Sequence, residues 1–107
     1  MKFLTLCEGG AVRSVCLASV LRWEFGQDGV PLSGSKSGQD TVDMLSEWAD
    51  YIVILWPPAA ERILTKHAHK IRIFDIGPDV WKNSMHRDLL KIMLEKCEEW
   101  RLKEWKL

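Results

Sequence analysis

The chain has 107 residues, with 15 Lys and Arg against 15 Asp and Glu, 47% hydrophobic residues and three cysteines. That length suits one domain spanning 1–107 and not two, and the hydrophobic share excludes wholesale disorder. A formal charge of zero argues against a dedicated nucleic-acid or membrane-surface binder, which would carry a basic excess.

No apolar run is long enough to cross a bilayer, and residues 1–6 are too short for a signal peptide. The expectation is a cytoplasmic protein that starts at Met1 and keeps its thiols reduced. Cys7, Cys16 and Cys97 are odd in number and widely spaced. They fit neither a disulfide framework nor a zinc site, which leaves the question of whether one of them is a nucleophile.

In chain order, residues 3–6 form an apolar run that reads as a buried strand entering the glycine turn at Gly9 and Gly10. Residues 14–25 read as a helix with Val15, Ala18, Leu21 and Phe25 on one face and Ser14 as its cap or a first-turn residue. Residues 30–33 form a short strand that Pro31 assigns to a sheet edge. Residues 40–49 are a second helix carrying Val42, Leu45 and Trp48 inward. Residues 51–56, apolar without alternation, read as a central parallel strand covered on both faces. Pro57 and Pro58 suit a helix start, and the third helix is expected to run on to His69. A last strand covers 70–74, a loop 75–84, and a long helix begins near Met85 with Leu89, Met93, Cys97 and Trp100 as its apolar stripe. Trp23, Trp48 and Trp100 fall on core faces. His67 and His69 read as surface residues, and Trp105 as an exposed one.

Strands and helices thus alternate, which argues for an α/β fold with a parallel sheet between helices. Ligands in such sheets bind beyond the carboxyl ends of the strands. Cys7 ends the first strand, and Asp75 and Asp79 follow the last, so the topology brings them to one rim.

The segment Cys7-Glu8-Gly9-Gly10-Ala11-Val12-Arg13-Ser14 lies between that first strand and its helix. Such a loop can turn successive backbone N–H groups inward as a nest for an anion, and the helix adds its positive end. Arg13 can hold two oxygens of a tetrahedral oxyanion. The positive cup favours the thiolate of Cys7, placed for in-line attack on a bound phosphorus, and Ser14 can donate a hydrogen bond to the sulfur. The bland alternative, a buried strand-end cysteine beside a surface arginine, explains neither the glycines nor the serine.

These residues resemble the low-molecular-weight protein tyrosine phosphatases, and the resemblance extends over most of the chain. Ser33-Gly34-Ser35 resembles the family's Ser-Ala-Gly segment, and the stretch from Glu47 to Ile54 its Ala-Asp and apolar strand. The stretch from Phe74 to Trp81 is similar to the loop that carries its general acid. The resemblance implies a three-layer α/β fold with a four-stranded parallel sheet in order 2-1-3-4. It implies hydrolysis of phosphate monoesters, phosphotyrosine in protein foremost, through a cysteinyl-phosphate, with no metal and no cofactor. Cys7 would be the nucleophile, Arg13 the phosphate clamp and Ser14 the thiolate partner. The backbone of Glu8, Gly9, Gly10, Ala11, Val12 and Arg13 would be the cradle.

Asp79, which follows Pro78 two residues before Trp81, best matches the acid; Asp75 is the alternative. Trp81 and Trp56 are candidates for the substrate cleft, Trp81 equally for a core cover. Gly10 stands where the family has a bracing Asn, and Trp56-Pro57 where it has an acidic residue. These departures motivate a second reading, a module that binds a phosphorylated ligand or nucleotide without turnover. Arsenate reduction, which would need further redox cysteines, is a minor third. The expected partners are a phosphorylated protein or a small phosphomonoester, with no nucleic acid and no membrane.

Overall fold

The computed structural model describes residues 1–9, 11–77 and 80–103, with side chains to residue 100. The elements are β1 (Lys2–Cys7), α1 (Arg13–Phe25), β2 (Asp28–Ser33), α2 (Gln39–Trp48), β3 (Tyr51–Ile54), β4 (Ile71–Ile73) and α3 (Arg87–Lys103), with two 3-10 segments, Pro57–Arg62 and Thr65–Lys70, between β3 and β4. The four strands form one sheet in the order β2-β1-β3-β4, and every pairing is parallel. This is the expected α/β topology. Pro31 lies on the edge strand β2, opposite Thr5, where its missing N–H costs no ladder bond.

The pleat sends alternate residues of β1 and β3 into two cores. Phe3, Cys7, Tyr51 and Val53 pack with Cys16, Leu17, Val20 and Leu21 of α1 and with Leu89, Met93, Cys97 and Trp100 of α3. Leu4, Leu6, Ile52 and Ile54 pack on the other side with Ala49 and Ala59, flanked by Leu45 and Trp48 of α2. All four residues of β3 are buried, as a strand covered on both faces requires. The α3 stripe is as expected: Leu89, Met93 and Cys97 are fully buried and Trp100 nearly so.

Four expectations are corrected. The third helix does not form as one α-helix. Ile63 and Leu64 are extended, and the carbonyl of Arg62 accepts a bond from Gln39 Nε2 at 2.8 Å instead of a helical N–H. That break lets Ile63 pack against the α2 side of the sheet, a tertiary gain that outweighs a short run of helix bonds. Trp23 is 78% exposed, because α1 buries the face of Cys16, Leu17, Val20 and Leu21, rotated from the expected one. His67 is buried, not a surface residue; its Nε2 lies 3.2 Å from Glu47 Oε2. β3 stops at Ile54 and β4 covers only Ile71–Ile73. Trp105 lies outside the described residues.

Candidate active site

The β1–α1 junction gathers the sequence motif. Cys7, the last residue of β1, is 1% exposed. Its Sγ lies 3.1 Å from Ser14 Oγ, and the Ser14 N–H donates to the same sulfur at 3.4 Å. Ser14 sits in the first turn of α1, whose N-cap residue Val12 makes no side-chain cap bond. No acidic residue occupies that turn, so the positive end of the helix is not offset locally by its own side chains. The sulfur therefore faces the Ser14 N–H, the Ser14 hydroxyl and a helix N-terminus, a setting suited to an anion above it.

Arg13 is buried, 3% exposed. Its Nη1 donates to the Gly77 carbonyl at 2.8 Å, and its Nε has no hydrogen-bond partner among the described residues. A buried guanidinium with an unmet donor is a costly arrangement that a bound oxyanion would relieve. The same contact ties α1 to the loop after β4.

Asp75 is exposed, and its Oδ1 accepts the Gly77 N–H at 2.9 Å. Gly77 has φ +82, a conformation that a residue with a side chain rarely adopts. This small turn is what presents the Gly77 carbonyl to Arg13. Asp79 and Gly10 lie outside the described residues. Trp81 is half-buried, packs against the α1–α3 core and meets His86 edge-on at 5.3 Å, an arrangement that suits a core cover.

Several residues that brace the loop carried no clear signal in the sequence. Thr5 Oγ1, fully buried, donates to the Ser14 carbonyl at 2.8 Å and locks the helix start to β1. The hint was a hydroxyl inside an apolar strand. The carbonyl of Glu8 accepts from Ser33 Oγ and Ser35 Oγ, both at 2.7 Å, and from the Ser35 N–H at 3.2 Å. Gly34 N–H donates to the Cys7 carbonyl at 2.6 Å. Behind this loop Arg62 donates to the carbonyls of Gly34 (3.1 Å) and Ser37 (2.6 Å) and to Gln39 Oε1 (3.3 Å). Glu8 and Gly9 are exposed. Trp56 is half-buried and borders a groove against Gly34 and Ser35, so it stands beside the β1–α1 loop.

Cys16 and Cys97 are fully buried between α1 and α3. Burial pushes the Cys16 thiol up to about 11. Burial, with smaller contributions from Cys16 and Glu98, pushes Cys97 up to about 12. Both are therefore held as unreactive thiols near neutral pH. Among the described residues no group of three or more His, Cys, Asp or Glu is placed to hold a metal ion, and no helix is long and apolar enough to cross a membrane.

No family model matches this chain, and no curated protein sequence matches it. Solved structures do. Wzb of Vibrio vulnificus, in complex with benzylphosphonate, superposes with a TM-score of 0.73 at 15% identity, over 95% of this chain and 97% of that one. The tyrosine phosphatase Wzb from Escherichia coli K30, in complex with phosphate, superposes with a TM-score of 0.65 at 16% identity, over 96% of this chain and 97% of that one. The chain thus has the fold of the low-molecular-weight tyrosine phosphatases, along almost its whole length.

Proposed function

We propose that residues 1–107 form a cytoplasmic, cysteine-dependent phosphatase that hydrolyses phosphate monoesters, phosphotyrosine in protein foremost. The observation that carries the reading is the junction itself: a buried Cys7 sulfur with Ser14 Oγ at 3.1 Å and the Ser14 N–H at 3.4 Å, beside a buried Arg13 with an unmet donor. The two Wzb structures, one with benzylphosphonate and one with phosphate, support the ligand class.

In this reading the phosphate sits over the loop of Glu8, Gly9, Gly10, Ala11 and Val12, with backbone N–H groups and Arg13 on its oxygens. The Cys7 thiolate attacks phosphorus in line, the S–P bond forms and the P–O bond to the leaving group breaks. Asp79 gives its proton to the departing oxygen. Water then attacks phosphorus, Asp79 takes back a proton, and the S–P bond breaks to return the thiolate, which the Ser14 hydroxyl and N–H stabilise. Arg13 and the cradle supply the positive charge that the transition state needs, so the scheme calls for no metal or cofactor. Asp75 is the weaker candidate acid, since one carboxylate oxygen is held by the Gly77 N–H.

The test is hydrolysis of para-nitrophenyl phosphate, in chelator, by wild type, Cys7→Ser, Asp79→Asn and Asp75→Asn. Turnover that is lost in Cys7→Ser and falls by about a hundredfold in Asp79→Asn but not in Asp75→Asn is expected. Absence of turnover with vanadate still bound would replace the enzyme by a phosphate-binding module.

A further inference from the structure

A groove of about 470 Å³ opens between the loop after β2 and the first 3-10 segment. Neither Cys7 nor Arg13 lines it, so it is a compartment next to the phosphate cradle and not the cradle itself. The two share a wall. Gly34 and Ser35 line the groove, and these are the residues that hold the Cys7 and Glu8 carbonyls. A ligand whose phosphate rests on the loop would have this groove beside it.

Its chemistry is that of a cation seat. Trp56 and Pro58 supply flat apolar surface, and Glu61 supplies a carboxylate. Glu61 is exposed, and among the described residues no cation is paired with it. Arg62 is the opposing charge in the lining. Its Nη1, Nη2 and Nε are spent on the Gly34 and Ser37 carbonyls and on Gln39 Oε1. The formal charges of the lining, Glu61 and Arg62, cancel, but the guanidinium donors are committed within the protein, so Glu61 is the charged group of the lining left to meet a ligand. An aromatic face flanked by a carboxylate is the arrangement that receives an ammonium or guanidinium group.

We infer that this groove receives a lysine or arginine side chain adjacent to the phosphorylated residue of a polypeptide substrate, with Glu61 as the specificity-determining residue. The inference rests on the phosphatase reading for the placement of the phosphate. A small phosphomonoester leaves the groove empty, so the discrimination is confined to polypeptides.

The test uses two phosphotyrosyl peptides that differ only in carrying Lys or Glu on both sides of the phosphotyrosine. Because both are measured on one preparation, their kcat/KM ratio is independent of how much of a variant is folded. Wild type should favour the Lys peptide by about tenfold at low salt, and by less as salt screens the pair. Glu61→Lys should bring the ratio to one or below, and Trp56→Leu should reduce it. The dissociation constants of the same peptides for Cys7→Ser, read by fluorescence anisotropy, should show the same preference. A wild-type ratio within twofold of one, or a ratio that survives Glu61→Lys, overturns the inference. If wild type turns over nothing but the binding preference persists and is reversed by Glu61→Lys, the groove assignment stands and the phosphatase reading falls.

Discussion

Gly34→Ala tests whether the loop after β2 holds the β1–α1 loop in place. A Cβ at position 34 would lie 2.7 Å from Ala59 Cβ, 3.0 Å from the Cys7 carbonyl oxygen and 3.3 Å from Trp56 Cε3. Carbon atoms pack best at about 3.5–4.0 Å, so the new methyl is roughly 1 Å too close to one wall and pressed on another. Neither wall yields easily: Ala59 is fully buried, and the Cys7 carbonyl is held by the Gly34 N–H at 2.6 Å.

Overpacking of this kind costs about 1–3 kcal/mol, which for a domain of this size lowers the melting temperature by roughly 5–15 °C. The shift must also pull Gly34 off the Cys7 carbonyl, so kcat on para-nitrophenyl phosphate should fall in the fraction that remains folded. A thermal melt followed by circular dichroism reads the first effect. A double-mutant cycle with Ala59→Gly reads the cause, because removing the opposing methyl should recover about 1 kcal/mol or more of the loss. A melting temperature within about 2 °C of wild type would show that the contact is soft and the bracing argument wrong. An undiminished loss in the Ala59→Gly background would move the clash elsewhere.

Ser14→Ala removes the hydroxyl that lies 3.1 Å from the sulfur and leaves the N–H at 3.4 Å. A hydrogen bond to a charged group is worth about 1.5–3 kcal/mol, so kcat should fall roughly tenfold to a hundredfold, with a pre-steady-state burst approaching one product per enzyme as thiolate departure becomes limiting. An unchanged kcat without a burst would remove Ser14 from the mechanism. Cys16 and Cys97 are raised from an ordinary 9.0 to about 11 and about 12, so the unfolded chain loses their protons first as pH rises. Their contribution is full below pH 9 and declines as pH climbs toward the folded values, at up to about 1.4 kcal/mol per pH unit for each thiol. Urea titrations between pH 8 and 11 should show that slope flattened in Cys16→Ala and in Cys97→Ala; an equal slope in the variants would contradict the assignment.

The order of elements, the parallel sheet and the Cys7–Ser14 junction were legible in the sequence because each rests on local signals. A strand that must be apolar on both faces reads as an unbroken run, as in Tyr51–Ile54. A helix with one buried stripe reads as Leu89, Met93, Cys97 and Trp100. A cysteine, two glycines, an arginine and a serine between strand and helix have few other physical uses. What sequence periodicity could not fix was rotation and competition. α1 carries apolar residues on more than one side, so only packing against α3 decided that Cys16 and Leu17 go in and Trp23 stays out. The segment after Pro57 has helix-compatible composition, yet the need to seat Ile63 under the sheet breaks it at Ile63 and Leu64. Bonds between residues distant in the chain were invisible for the same reason. Nothing in the sequence marks Arg62 as the brace of the Gly34 and Ser37 carbonyls, or pairs Arg13 with Gly77. Those contacts exist only once the strands set their carboxyl ends side by side. Local chemistry thus pointed to the kind of site we propose, while the tertiary fold decided which residues hold that junction still and what lies beside it.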